Sequence, residues 1–235
     1  MTSPKPLMRI PQREADALLS KVLEFRAECE QYEKPEDVNR LLQLFPKVAI
    51  EDGYLLDYVV LGGGVAAWIR PYARERKEPP WSSAPEVVHL FDRERIAGYR
   101  HPREHDRLEV DTLYRRLSYE ESPSGLLQYA FFVVELWATR ASWHAAEWLD
   151  STPIFTKRRF DSFLERTPPL QPPRRPDSYG PLVYPDDKGG QVRFLVHSPV
   201  GMERIYYLEC DVLADGRVES KAGEILAELA GGFIY

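Results

Sequence analysis

The sequence predicts an α+β domain in which antiparallel strands pack against a long central helix. Three observations carry this. Residues 125–149 place Leu127, Phe131, Val134, Trp137, Ala138, Ala141, Ala145 and Trp148 on one wide face and Phe132, Leu136 and Trp143 on a second. Gln128, Glu135, Thr139 and Ser142 make a polar stripe between the two, and a helix with two apolar faces belongs between two layers. Residues 191–197 and 203–213 alternate, with Val192, Phe194 and Val196, then Tyr206, Leu208, Cys210 and Val212, on one side, as paired strands do. No β-α-β alternation repeats along the chain, which argues against a doubly wound parallel sheet. A length of 235 residues fits one elaborated domain over 1–235.

From the N-terminus, Ala15, Leu18, Val22, Phe25, Cys29 and Tyr32 fall at spacings of three and four, so residues 13–33 read as a helix. Pro35-Glu-Asp opens a shorter helix to about Phe45, stopped by Pro46. Residues 54–61 and 65–72 are rich in strand formers and read as the arms of an N-terminal hairpin. A Pro-containing charged loop follows, then a short apolar run, Val87–Phe91. Residues 92–118 mix seven arginines with six acids, a solvated lattice rather than a phosphate patch. Beyond the central helix, Thr152 and Pro153 have the chemistry of a cap and first turn for a helix to about Arg166. Seven prolines make 167–185 an extended proline-rich connector. Asp215-Gly216 signals a tight turn, and residues 222–230 read as a short terminal helix.

Composition excludes some function classes. A formal charge of −6 gives no basic face for nucleic acid. Glu135, Arg140, His144 and Glu147 interrupt the longest apolar run, so no membrane helix is expected. The first residues lack the apolar core of a signal peptide. Two cysteines, Cys29 and Cys210, make no disulfide framework or zinc ribbon. These features place the chain in the cytoplasm with reduced thiols.

The one segment that looks like chemistry is Asp57-Tyr-Val-Val-Leu-Gly-Gly-Gly-Val-Ala-Ala67. Gly62, Gly64 and Ala67 have the spacing of a G-x-G-x-x-A fingerprint, in which glycines let pyrophosphate approach a helix N-terminus. Asp92, after Val87–Phe91, could supply the acid that meets a ribose. Over about a dozen residues the segment resembles the opening of an FAD- or NAD-binding fold. Pro71 opposes that reading, because it falls where the helix should continue and interior proline costs ~3 kcal/mol. Alternation on both sides of the glycines favours a hairpin turn, so no cofactor is expected.

Other candidates are weaker. His101 and His105 stand at helical metal-ligand spacing but in a polar loop without a third ligand nearby, so no metal is expected. Arg140, His144 and Glu147 share one face of the central helix and form the residual catalytic candidate, with His144 as base and Arg140 meeting an anion. A rim ion-pair network is the plainer reading. In the 191–213 hairpin, partner numbers summing to about 400 set His197 opposite Glu203 or Arg204 and keep Cys210 far away, so no Cys–His dyad is expected. Pro169-Leu-Gln-Pro172-Pro-Arg174 fits the P-x-x-P-x-R pattern of SH3 ligands, but proline connectors are common. Without a complete catalytic set, the expected function is a soluble, bacterial-type, non-enzymatic binding protein with a protein partner, of antagonist or immunity type. The alternative is a nucleotide- or dinucleotide-binding enzyme using Gly62-Gly63-Gly64.

Overall fold

The structure is a computed structural model and describes residues 7–32, 37–61, 68–79, 113–137, 151–187 and 189–232. In chain order the elements are β1 (Met8–Arg9), α1 (Gln12–Tyr32), α2 (Val38–Gln43), β2 (Val48–Ile50), β3 (Tyr54–Leu61), β4 (Trp68–Glu75), β5 (Leu117–Tyr119), α3 (Pro123–Trp137), β6 (Thr152–Ile154), α4 (Lys157–Arg166), β7 (Leu182–Asp186), β8 (Gly189–Ser198), β9 (Arg204–Val212) and β10 (Val218–Glu228). Helices and antiparallel sheets are mixed, as the sequence predicts. The main sheet runs β1-β7-β8-β9-β10, and β6 pairs with β8 beyond the end of β7. The N-terminal hairpin β3–β4 forms its own two-stranded sheet, as does β2–β5, so the N- and C-terminal hairpins do not share one sheet among the described residues.

The main sheet is buried on both faces. Val192, Phe194, Val196, Tyr206, Leu208, Cys210 and Val212 point into the larger core with α1, α2 and α3. Leu195, Ile205 and Tyr207, one residue out of phase, point into a second core with Phe160 and Phe163 of α4 and with Leu226, Ala227 and Leu229. Strand side chains alternate between faces, so one hairpin supplies both cores. In the larger core Phe131 lies 5.7 Å from Phe45, 5.8 Å from Phe155 and 5.8 Å from Phe194, ring to ring, a tilted and edge-on cluster.

Helix α3 is buried almost all round, including the stripe that the sequence marks as polar. Gln128 Oε1 accepts from the backbone N–H of Lys47 at 3.0 Å. Glu135 takes a fork of two bonds from Arg26 of α1, Nε to Oε2 at 3.0 Å and Nη2 to Oε1 at 2.6 Å, while Arg26 Nη1 reaches the Ser151 carbonyl at 2.8 Å. Buried polar groups survive because they are paired. At Asp215-Gly216 the expected tight turn forms: Gly216 has φ +85°, and its carbonyl accepts from Tyr129 Oη at 2.7 Å.

Three local expectations are corrected. Residues 222–230 are not a helix: β10 pairs with β9 through this region, with irregularities between Ala222 and Ile225 and between Ile225 and Ala227. Pairing and burial of Leu226, Ala227 and Leu229 override a weak helical propensity. The helix expected from Thr152 starts later. Pro153 lies in β6 opposite Val196, at a sheet margin that tolerates proline, and Thr156 caps α4, its Oγ1 accepting from Arg159 N–H at 3.1 Å. The shorter helix begins at Val38, with Asp37 as its cap, Oδ1 accepting from Asn39 N–H at 3.0 Å. The connector also has structure. Leu170 N–H bonds Glu228 O and Arg174 N–H bonds Leu226 O, both at 2.8 Å, so the P-x-x-P-x-R segment lies along β10 and covers part of that sheet edge.

The Arg26–Glu135 pair generates a prediction. Their side chains are 13% and 4% exposed, so Glu135→Ala removes the neutralising carboxylate from a largely buried guanidinium. Urea unfolding is expected to show a loss of roughly 3–5 kcal/mol, much of it restored in an Arg26→Met/Glu135→Leu double variant. A loss below about 1 kcal/mol would mean that water replaces the carboxylate.

Candidate functional site

Helix α4 forms because Thr156 caps it and Phe160, Phe163 and Leu164 at i, i+3 and i+4 cover the second face of the sheet. The same spacing puts Arg159, Ser162 and Arg166 on a neighbouring stripe, two turns long. That stripe, with Thr152 of β6, His197 of β8 and Glu203 ahead of β9, lines an open cleft of about 540 Å3. The volume falls within the range of small-ligand sites.

Strand register builds the floor. Thr152 pairs with His197, and Ser198 with Arg204, so the β8–β9 connection brings Glu203 back beside His197. His197 Nε2 lies 2.7 Å from Glu203 Oε1, with both residues buried. A neutral imidazole protonated on Nε2 donates to the carboxylate. The His197 ring stacks on Phe163 at 3.9 Å and 14°, and the Arg166 guanidinium carbon lies 4.5 Å over Phe163. A Cβ at Gly231 would collide with Glu203 Oε2, so glycine lets the returning chain pass over the carboxylate.

The charges of the cleft are unbalanced. Glu203, its one carboxylate among the described residues, is engaged by His197. Arg166 Nε donates to the Ser162 carbonyl at 3.3 Å, and Arg166 makes no ion pair with a described residue. The Arg159 guanidinium has no hydrogen-bond or ion-pair partner among the described residues, and its Nη1 is buried. Burial lowers the Arg159 pKa; the field of Asp16 opposes this without an ion pair. Burial also lowers the pKa of His197, outweighing Glu203, which raises it, while Arg166 pushes it further down.

The described side chains of the cleft are mainly hydrogen-bond donors. Ser162 Oγ donates to the Arg159 carbonyl at 2.8 Å, within its own helix. Cys210 points into the larger core, where burial pushes its thiol up to about 12. It pairs with Val192, five residues along β8 from His197. Paired numbers in the hairpin sum to 402 (Val192 with Cys210, for example) instead of about 400.

The sites named from sequence fall outside the described residues. Strands β3 and β4 flank Gly62–Ala67 and pair antiparallel from Leu61↔Trp68 to Tyr54↔Glu75. Gly62, Gly64 and Ala67 lie outside the described residues, as do Asp92, His101, His105, Arg140, His144 and Glu147. Among the described residues, no group of three His, Cys, Asp or Glu side chains is placed to hold a metal, and no helix is long and apolar enough to cross a membrane. Sequence reasoning missed the α4 cleft. Its available signal was a cationic stripe, Arg159-x-x-Ser162-x-x-x-Arg166, next to an apolar one. Comparison with protein-family models, curated proteins and solved structures finds no match.

Two measurements test this chemistry. Because the folded pKa of His197 lies below its ordinary 6.5, the unfolded chain binds the proton more readily. The stability tied to neutral His197 is complete above about 6.5 and is lost as pH falls through 6.5 toward the folded value. His197→Gln, whose amide can still donate to Glu203, is therefore expected to flatten the loss of urea stability between about pH 7 and about pH 5.5. An unchanged slope would contradict a neutral buried imidazole. Cys210 is expected to react with a thiol reagent only at the rate of unfolding. Fast modification of Cys210 in the native protein would contradict its burial.

Proposed function

We propose that the chain is a non-enzymatic binding protein, an antagonist or immunity-type partner of another protein, and that it engages its partner at the α4 cleft. The observation that carries this reading is a pair of arginines, Arg159 and Arg166, without an acidic partner among the described residues, in an open cleft whose one described carboxylate is already engaged. Binding needs donors held in place, and the cap, the Phe163 stack and the β6–β8 register hold them. Turnover needs a nucleophile or a general base in reach of substrate. Here His197 is committed to Glu203, and the Ser162 hydroxyl to its own helix.

A nucleotide enzyme built on Gly62, Gly64, Ala67 and Asp92 is the alternative. It needs a helix after the glycines so that backbone N–H groups face the phosphates. The segment Trp68–Glu75 is a strand, with Pro71 opposite Tyr58, which weighs against it.

The test is affinity capture from native extracts with wild type and an Arg159→Ala/Arg166→Ala variant of unchanged circular dichroism, read by quantitative mass spectrometry. The reading expects a defined protein recovered with wild type and depleted at least about tenfold with the variant, the scale of one lost charged hydrogen bond. Equal recovery of the same proteins with both would overturn the cleft as partner site. Micromolar NAD or ATP binding by calorimetry would favour the nucleotide reading instead.

A further inference from the structure

We propose that the α4 cleft is an oxyanion receptor, in which the guanidinium groups of Arg159 and Arg166 take a carboxylate or phosphate group of the ligand. The proposal rests on the cleft being the binding site and adds the chemistry of what it binds.

Four observations lead to it. First, the available side chains of the cleft are donors: two arginines with no ion pair among the described residues, and the hydroxyls of Thr152 and Thr167. The acceptor that could neutralise an arginine, Glu203, is held 2.7 Å from His197. Second, burying a guanidinium unpaired is costly, and the cost is offset when an anion completes its hydrogen bonds. The half-buried Arg159 side chain bears part of that cost: its Nη1 is buried with no hydrogen-bond partner among the described residues, and Asp16 makes no ion pair with it. Third, Arg159 and Arg166 are seven residues apart, two turns or about 10 Å of helix, on one face. Two long side chains at that spacing can lean toward one oxyanion, and a planar guanidinium fork matches carboxylate and phosphate oxygens. Fourth, the positions are braced. Arg159 lies in the first turn, where Thr156 caps its N–H, and the Arg166 guanidinium lies over Phe163, itself stacked on His197.

The charge of the whole chain divides the labour. At −6 its long-range field favours a basic partner, while the cationic cleft accepts an acidic group at short range. A protein of basic surface that presents one acidic side chain would satisfy both. A free small anion would satisfy the second alone.

The experiment uses the full chain and two probes: inorganic phosphate, and a basic peptide with one central glutamate. Binding is followed by calorimetry and by the Arg Nε–H resonances in 15N NMR. Both probes are expected to shift the Arg159 and Arg166 resonances. Arg159→Met and Arg166→Met should each weaken binding by about tenfold or more, as expected for a charged hydrogen bond. Arg158→Met, on the exposed side of α4, should leave it unchanged and controls for overall charge. Phosphate binding with no peptide binding would assign a free anion as ligand; tighter peptide binding, lost when its glutamate becomes glutamine, would assign a protein carboxylate. If the methionine variants do not fold, the wild-type resonances decide. No shift with either probe, or equal binding by wild type and both folded variants, overturns the receptor. If the probes fail to bind but partner capture still depends on Arg159 and Arg166, the binding role stands and the oxyanion chemistry falls. If they bind but capture is indifferent to both arginines, the chemistry stands and the partner role falls.

Discussion

The β8–β9 pair has apolar residues on both faces, and the rest of the fold answers that constraint. Each of these side chains is worth roughly 1.5–3 kcal/mol when taken out of water, so neither face can be left bare. The helical layer of α1, α2 and α3 covers Val192, Phe194, Val196, Tyr206 and Leu208. The opposite face, Leu195, Ile205 and Tyr207, needs a cover of its own, which α4, β6 and the end of β10 provide. Arg26 and Glu135 then tie α1 to α3, and Arg26 also reaches the Ser151 carbonyl just ahead of β6, on the route to α4.

The cleft follows from that second cover. A ten-residue helix on a sheet buries one stripe and leaves the next one at the margin. The margin of α4 carries Arg159, Ser162 and Arg166, and the sheet beneath it offers His197 where β6 meets β8. Phe163 belongs to both parts: it packs in the second core and also stacks on His197 beneath Arg166. Rigidity in the core is thereby passed to the charged groups.

Much of this fold was legible in the sequence, for stated reasons. The 191–213 hairpin declared itself by alternation, and its register was foreseen to within two residues. The apolar faces of residues 125–149 marked a helix between layers, and its described part, α3, is buried as that pattern requires. Gln128 and Glu135 were read as a polar stripe; their partners, Lys47 and Arg26, are 81 and 109 residues away, a distance no local pattern reports. β10 was misread because Ala222, Glu224 and Leu226 favour helix locally, whereas ladder pairing with β9 decides the outcome. The cleft was missed because the alternation identified one apolar face of the hairpin and assigned no cover to Leu195, Ile205 and Tyr207 on the other. With that face covered, an apparently solvated arginine stripe becomes the wall of a site. His197 and Glu203 were set side by side in the hairpin, but weighed there only against Cys210.

The central claim is that α4 presents two arginines to an oxyanion across a braced cleft. The most direct test is a crystal structure grown with selenate, a phosphate-shaped ion visible by its anomalous signal. The account predicts selenium in the cleft with its oxygens hydrogen-bonded to Arg159 and Arg166, and His197 still on Glu203. Selenate bound elsewhere with the cleft holding water alone, or Arg159 turned out to solvent away from α4, would contradict it.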